Sequence, residues 1–125
     1  MGANMHDYII HILTPMQWMA VAHYGMGYFE RDDDAEFIHF SFPHQVVESA
    51  NLHFEGEDKV LLMVCEAKEF GDKLKVEWVA SRKEQMPHLY APHFHDGNAV
   101  LRPKMTRGPN GRFEFPEELD AFLKG

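Results

Sequence analysis

Apolar and polar positions alternate with two different periods along this chain, and these periods predict its strands and helices. Residues 7–13 and 59–65 are almost continuously apolar and rich in β-branched side chains, which indicates buried strands. Residues 36–42 alternate with period two, with Ile38 and Phe40 on one face. We expect this third segment to be a buried strand that leads directly into a helix.

Residues 73–79 also alternate with period two. Leu74, Val76 and Trp78 share one face of this predicted strand, and Glu77 lies on the other face with two lysines. We expect the apolar face to pack on the core. Glu77 is then predicted to point to solvent, away from any cleft on the Trp78 side.

A capping pattern predicts the first helix. Thr14, Pro15 and Gln17 occupy the N-cap, first and third positions of a capping box. Trp18 begins an apolar stripe along this helix, and Gly25 is expected to end it.

A second helix is expected after residue 41. Ser41 is placed as its N-cap and Pro43 lies in its first turn. Val46, Ala50 and Phe54 recur at intervals of four, which predicts one helix face packed on the sheet.

The C-terminal part is predicted to add a hairpin and a short helix. Residues 99–104 and 112–115 flank a Gly-Pro-Asn-Gly turn, and residues 116–123 have the composition of a short helix. Helical and strand patterns are mixed without a long βαβ series. We therefore expect an α+β fold in a single domain over residues 1–125, with one bent, mostly antiparallel, split or barrel-like sheet and two or three helices.

Charge and cysteine content narrow the classes of function. The formal net charge is −8 and the twelve basic residues are scattered, which argues against a nucleic-acid or anionic membrane surface. Cys65 is the only cysteine and lies in an apolar run, so we expect a small buried side chain and a reducing compartment. No apolar run is long enough to span a bilayer, and we expect a cytoplasmic protein.

Nine histidines raise the question of a metal site. His93 and His95 share one face of an extended segment, and Asp96 follows them. The paired-cysteine and His-Glu-x-x-His patterns of zinc sites are missing from the sequence, so no metal is expected. A serine nucleophile is also disfavoured, because Ser41 and His39 are two residues apart on a strand, about 7 Å.

A polar ligand pocket is the remaining interpretation. His11 and His39 lie on two interior strands that we expect to pair, and Ser41 lies beside the second of them. The predicted helix start after Ser41 would offer N–H groups to an anion. The expected walls of the pocket are aromatic and comprise Trp18, Trp78 and Tyr90.

Three motifs resemble a known family. They are Ile10-His11-Ile12 before a Thr-led helix with Trp18, Phe37-Ile38-His39-Phe40-Ser41 with Gln45-Val46, and Pro87-His88-Leu89-Tyr90 followed by Pro92. In this order and spacing they are similar to the small bacterial domain-of-unknown-function-952 family. The resemblance covers about residues 8–102, and residues 103–125 lie beyond it.

The resemblance implies a fold and a ligand. That family is grouped by fold with ADP-ribosyltransferases, which bind NAD in a cleft of a split, bent sheet. It implies catalytic roles for His11, His39 and Glu77, although here the acid precedes the tryptophan, whereas the family usually shows Trp-Glu. The residues assigned to cofactor binding are His11, His39, Ser41, Trp18, Trp78, His88 and Tyr90.

Three hypotheses therefore stay open. The chain is an NAD-using or degenerate enzyme of the ADP-ribosyl type, a non-catalytic module for another small anionic or nucleotide-like ligand, or a protein–protein interaction domain. In the third case the Tyr24–Phe29 segment or the C-terminal hairpin would form the contact surface. The oligomeric state is left open.

Overall fold

A computed structural model describes residues 5–23 and 27–125 as a single α+β domain. Within that part of the chain there are three α-helices, α1 (Pro15–His23), α2 (Val46–His53) and α3 (Glu117–Lys124). The strands are β1 (Tyr8–Leu13), β2 (Tyr28–Glu30), β3 (Ile38–His39), β4 (Lys59–Glu66), β5 (Leu74–Val79), β6 (Glu84–Leu89), β7 (His93–His95), β8 (Ala99–Leu101) and β9 (Lys104–Thr106). Short 3₁₀ turns cover Met5–Asp7, Pro43–Gln45, Ala67–Lys73 and Asp96–Asn98.

The strand β4 is the centre of the largest sheet. It pairs antiparallel with β1 on one side and with β8 and β9 on the other. Alternate residues of β4 belong to two different core clusters, Met63 and Cys65 on one face and Leu62 and Val64 on the other. Both faces of the sheet are therefore buried, which explains why the apolar pattern of residues 59–65 is continuous.

The prediction of one bent sheet is wrong. The described strands form three separate antiparallel sheets, the β4 sheet, a β2–β7 pair and a β3–β6–β5 sheet, and these sheets do not close into a barrel. The reason lies in residues 38–41, which change partners along their length. Ile38 and His39 pair with β6, whereas Ser41 exchanges two main-chain hydrogen bonds with Ile10 of β1. The strands carrying His11 and His39 are thus joined through a bridge rather than a ladder.

The start of α1 confirms the predicted capping box. The Thr14 N–H donates to Gln17 Oε1 at 2.9 Å, and the Gln17 N–H donates to Thr14 Oγ1 at 3.1 Å. None of the α1 side chains is fully buried, although Trp18 and Val21 are partly covered by the core. The predicted stop at Gly25 lies outside the described residues. The helix is therefore held mainly by its cap and one partly buried edge.

Ser41 is not the N-cap of the second helix, contrary to the prediction. A 3₁₀ turn, Pro43–Gln45, precedes α2, and Phe42 holds the cap position of that turn. The Gln45 side chain accepts a hydrogen bond from the Phe42 N–H at 2.9 Å and thereby replaces the expected serine cap. Ser41 is already committed to the bridge with β1, so its hydroxyl turns toward Ser49 instead.

The predicted orientation of β5 is also wrong. Val76 and Trp78 are 51% and 60% exposed, whereas Glu77 is half-buried and bonded to His88 and Tyr90. The strand lies at the edge of its sheet, so neither face is required to be fully apolar. Glu77 turns inward because two hydrogen-bond donors on and just beyond β6 lie on the same face as its carboxylate.

The C-terminal segment adds strands to the central sheet. β8 and β9 both pair with β4, so the expected hairpin between residues 99–104 and 112–115 is reduced to a bridge between Arg107 and Phe113. The closing helix is confirmed as α3, which buries Leu119 and Leu123.

Candidate functional site

A cleft of about 960 Å³ opens where β1, α1, residues 37–41 and the β5–β6 hairpin meet. One of its boundaries comes directly from local sequence and another from a long-range pairing. The cap at Thr14 sets α1 over the cleft, where Gln17 and Val21 line it. The bridge between Ile10 and Ser41 fixes the strand segment that forms the floor. The polar side chains in the cleft form three groups.

The first group consists of Glu77, His88 and Tyr90. Glu77 Oε1 accepts hydrogen bonds from the Tyr90 hydroxyl at 2.5 Å and from His88 Nδ1 at 2.9 Å. The Tyr90 hydroxyl, and after it His88, lower the pKa of the Glu77 carboxyl, and the same bond raises the pKa of Tyr90 to about 12. Glu77 is therefore ionised at neutral pH and Tyr90 stays protonated as a donor.

This geometry leaves two atoms available for a ligand. Both hydrogen bonds fall on Oε1 of Glu77, and Oε2 has no hydrogen-bond partner among the described residues. With Nδ1 of His88 bound to the carboxylate, Nε2 is the other ring nitrogen and has no partner in the described part of the chain either. A carboxylate that orients a histidine in this way sets the tautomer of the ring.

An aromatic layer surrounds this first group. The Phe37 ring stacks on His88 with 3.8 Å between ring centroids, and it meets His39 edge-on at 4.7 Å. Tyr90 lies 5.5 Å from the same ring. Burial, followed by the neighbouring His88 and His53 rings, lowers the pKa of His39. His39 is therefore favoured as a neutral imidazole, able to accept a hydrogen bond at neutral pH.

The second group is His11, which lies on β1 and also lines the cleft. Its Nδ1 lies 2.7 Å from the main-chain oxygen of His39. A carbonyl oxygen can only accept, so Nδ1 carries the proton. Burial lowers the pKa of His11, which keeps the ring neutral and leaves Nε2 as an acceptor. His11 also contacts Phe40 and Phe94, both with 5.4 Å between ring centroids.

The third group contains Arg82, Ser49 and Ser41, which also line the cleft. We call it the Arg82 corner. Arg82 Nη1 donates to Ser49 Oγ at 2.8 Å, and Ser49 Oγ lies 2.7 Å from Ser41 Oγ. The Arg82 side chain is only 5% exposed and forms ion pairs with Glu84 at 3.1 Å and Glu48 at 3.5 Å.

The structure brings most of the predicted site residues to the cleft. Those that line it are His11, His39, Ser41, Glu77, Trp78, His88 and Tyr90. Trp18 lies apart from them. Its indole stacks on Phe29 with 6.2 Å between ring centroids and packs against the core cluster.

Sequence reasoning missed Phe37 and Arg82. Phe37 has a local signal, since it is an aromatic residue two positions before a candidate histidine in an alternating strand and so shares its face. Arg82 follows a strand end in a polar turn. Nothing in its sequence surroundings distinguishes it from a solvated cation.

The remaining reactive residues take structural positions. The rings of His93 and His95 both contact the Tyr28 ring, with 4.8 and 4.7 Å between ring centroids, and the described residues contain no group of three or more side chains that could hold a metal ion. Cys65 is buried in the central strand, and burial raises the pKa of its thiol to about 12. No described helix has the length and apolar character needed to cross a bilayer.

Comparison with known proteins supplies the family. The family model described as "Protein of unknown function (DUF952)" matches residues 12–101, well over half of the chain. This chain belongs to the DUF952 family. No curated protein matches it.

Solved structures agree with this DUF952 fold. The crystal structure of protein CC0527 from Caulobacter crescentus superposes with a TM-score of 0.76 at 27% identity, covering 90% of this chain and 98% of that one. The solution NMR structure of the same protein gives a TM-score of 0.72 at 26% identity, with 92% and 96% covered. Both are described only as structural genomics targets, so they show the fold and leave the ligand undefined.

Proposed function

We propose that this DUF952 protein binds a small nucleotide-like ligand in the cleft, with NAD or a related dinucleotide as the first candidate. The observation that carries the proposal is the convergence of His39, Glu77, His88 and Tyr90 around the Phe37 ring. Four hydrogen-bonding side chains beside aromatic faces are what a base or ribose requires.

The size of the cleft and one of its basic side chains support this proposal. A volume of about 960 Å³ is at the upper end of the range for small-molecule sites, about 300–1,000 Å³. Arg31 lines the cleft together with its neighbours Glu30 and Asp32, and its guanidinium offers hydrogen-bond donors to a phosphate. The neutral state favoured for His11 and His39 adds uncharged acceptors that can bind ribose hydroxyl groups.

The test is ligand-dependent stability. At ten times its Kd, a ligand that binds only the folded state raises the Tm of a chain of this size by about 5 °C. We expect NAD or ADP-ribose to produce such a shift in the wild type and a much smaller one in His39→Ala. His44→Ala is the matched control, because His44 is exposed and lies outside the cleft.

The outcomes separate the hypotheses. No shift at millimolar NAD and ADP-ribose, with the protein folded, contradicts the proposal. Stabilisation by simple phosphate-bearing metabolites alone points to the anion-binding module instead. A protein partner that is captured equally by the wild type, His11→Ala and His39→Ala would favour the interaction domain.

A catalytic version of the same function is favoured by Glu77. Its ionised carboxylate has Oε2 without a hydrogen-bond partner among the described residues, and it lies in the cleft rather than on the solvent face that the sequence predicted. An ionised carboxylate there would stabilise positive charge on a ribose as the bond to nicotinamide breaks and a water molecule adds to the ribose carbon. His88 and Tyr90 would hold that carboxylate in place.

Nicotinamide release from NAD, measured by chromatography, tests this version. We expect slow release by the wild type and at least a 100-fold lower kcat in Glu77→Gln, with KM little changed, because the charge acts in the transition state. Two results would contradict the catalytic version: equal nicotinamide release by the wild type and Glu77→Gln, or no release when the protein is in excess over NAD. In either case the chain would be a binding module.

A further inference from the structure

The Arg82 corner contains hydrogen-bond donors for which the described residues provide no acceptor. Arg82 Nε is buried and has no hydrogen-bond partner among the described residues, on a side chain that lines the cleft. A buried N–H without an acceptor costs free energy, and such groups are rare in native structures. An acceptor supplied by a bound ligand would satisfy this N–H.

The two serines add a second unused donor. Ser41 and Ser49 together carry two hydroxyl protons, and the hydrogen bond between them uses one. Ser49 Oγ already accepts from Arg82, and neither hydroxyl has a further acceptor in the described part of the chain. Whichever serine donates to the other, one O–H remains. The corner thus contains two buried donors that lack an acceptor among the described residues.

The surrounding charge defines which acceptor suits it. The single positive charge of Arg82 is already paired with the carboxylates of Glu84 and Glu48, so the three side chains carry a formal charge of −1. An incoming anion would meet this excess of negative charge. A neutral oxygen, such as an amide carbonyl, accepts the same hydrogen bonds without that repulsion.

We infer that the Arg82 corner is a subsite for the neutral carbonyl oxygen of the bound ligand, and that it discriminates against a carboxylate or phosphate at the same position. This deepens the proposed function and rests on it for the location of the ligand. Ser41 is two residues from His39 along an extended segment, about 7 Å. A ligand held beside Phe37 and His39 can therefore place a carbonyl group in the corner.

Nicotinamide and nicotinate are matched probes, because they differ only in a neutral carboxamide against a carboxylate. Inorganic phosphate is the third probe. Each is titrated into ¹⁵N-labelled protein, and the Kd is read from the amide shifts. We expect nicotinamide to bind at least threefold more tightly than nicotinate or phosphate in the wild type.

The double variant Ser41→Ala/Ser49→Ala removes the spare hydroxyl proton. Nicotinamide binding should weaken threefold to tenfold, the usual contribution of a neutral hydrogen bond. Arg82→Lys keeps the charge but removes the Nε donor, and it serves as the second variant if the first one does not fold. Thr106→Ala deletes an exposed hydroxyl group on β9 and should leave the Kd unchanged.

Tighter binding of nicotinate or phosphate overturns the inference, as does nicotinamide binding that is unaffected by both corner variants. A flat response to all three probes also overturns it, since the corner would then hold only solvent. The proposed function fails separately, when NAD and ADP-ribose give no His39-dependent shift. Nicotinamide binding that depends on the corner, without any NAD binding, would support this inference alone.

Discussion

The imidazole of His11 shows how a single residue sets the chemical state of one side of the cleft. Its Nδ1 proton is fixed by the His39 carbonyl, and its ring is covered by Phe40 and Phe94. Burial lowers the pKa of this ring below that of an exposed histidine. The unfolded chain therefore takes up a proton near pH 6.5, and the folded chain only at lower pH.

This difference predicts a loss of stability in mild acid. Because the unfolded state binds the proton first, the free energy of unfolding falls as pH drops below about 6.5, by at most about 1.4 kcal/mol for His11 at pH 5.5. The variant His11→Asn keeps a donor near the Nδ1 position but does not titrate. We expect it to cost about 1–2 kcal/mol at pH 7.5 through lost ring contacts, and to lose less than the wild type between pH 7.5 and 5.5.

Urea unfolding of both proteins at the two pH values measures this difference. A variant that loses as much stability as the wild type over that interval would show that His11 does not titrate differently in the two states. His39, whose pKa burial also lowers, adds a loss of the same sign to both proteins. Because both proteins contain His39, the difference between them reports mainly on residue 11.

At the level of single residues, the sequence patterns identified the histidines of the cleft but placed Glu77 on the wrong face of its strand. The alternation of residues 36–42 was sufficient to place His39 beside Ser41, and the Pro-His-Leu-Tyr motif to select His88 and Tyr90. Glu77 was assigned to solvent because its strand alternates cleanly. Alternation does not say which face is buried when the strand is at a sheet edge, and there two hydrogen-bond donors decided the orientation.

Among the elements, the 3₁₀ turn before α2 depends on one glutamine. Gln45 is 2% exposed and makes three hydrogen bonds with its side-chain amide. It accepts from the Phe42 N–H and donates to the Gln85 carbonyl and to Glu84. One side chain therefore caps the turn and ties it to β6, and this holds the floor of the cleft against its side wall.

Gln45→Ala should accordingly be strongly destabilising. It leaves the Phe42 N–H and the Gln85 carbonyl without their partner, and we expect a loss of about 2–4 kcal/mol in the free energy of unfolding. The neighbouring Gln85→Ala is the matched control. Its side chain is exposed and only its main-chain oxygen takes part, so a loss within about 0.5 kcal/mol is expected. Similar losses in the two variants, measured by chemical denaturation, would refute this account of the turn.

One of the two predicted helix caps was correct and the other was wrong, and the difference has a physical reason. The capping box of α1 was predicted correctly because all of its hydrogen bonds lie within four residues. The cap at Ser41 failed because Ser41 was needed for a bridge with Ile10, a residue 31 positions earlier. Local patterns predict local bonds. A long-range pairing that competes for the same residue is not visible in them.

For the whole molecule, local sequence patterns also fail to show how the strands divide into sheets. Its strands were largely recognised, and their antiparallel pairing was expected, but the division into three sheets depends on where residues 38–41 change partners. The C-terminal segment, residues 103–125, is important to the fold in a different way. It lies beyond the residues that match the family model, yet its β9 and α3 complete the core on one face of β4.

That packing predicts that residues 103–125 are needed for folding. Leu119 is fully buried in the cluster that contains Val60, Leu62 and Val64, so Leu119→Ala should cost about 2–5 kcal/mol. Leu52→Ala is the control, since Leu52 is 52% exposed and should cost less than about 1 kcal/mol.

A chain ending at residue 102 would expose the same apolar face, and we expect it to lack a cooperative unfolding transition. If that shortened chain instead unfolded cooperatively in urea and gave a dispersed NMR spectrum, the C-terminal segment would be an accessory to a fold that is already complete.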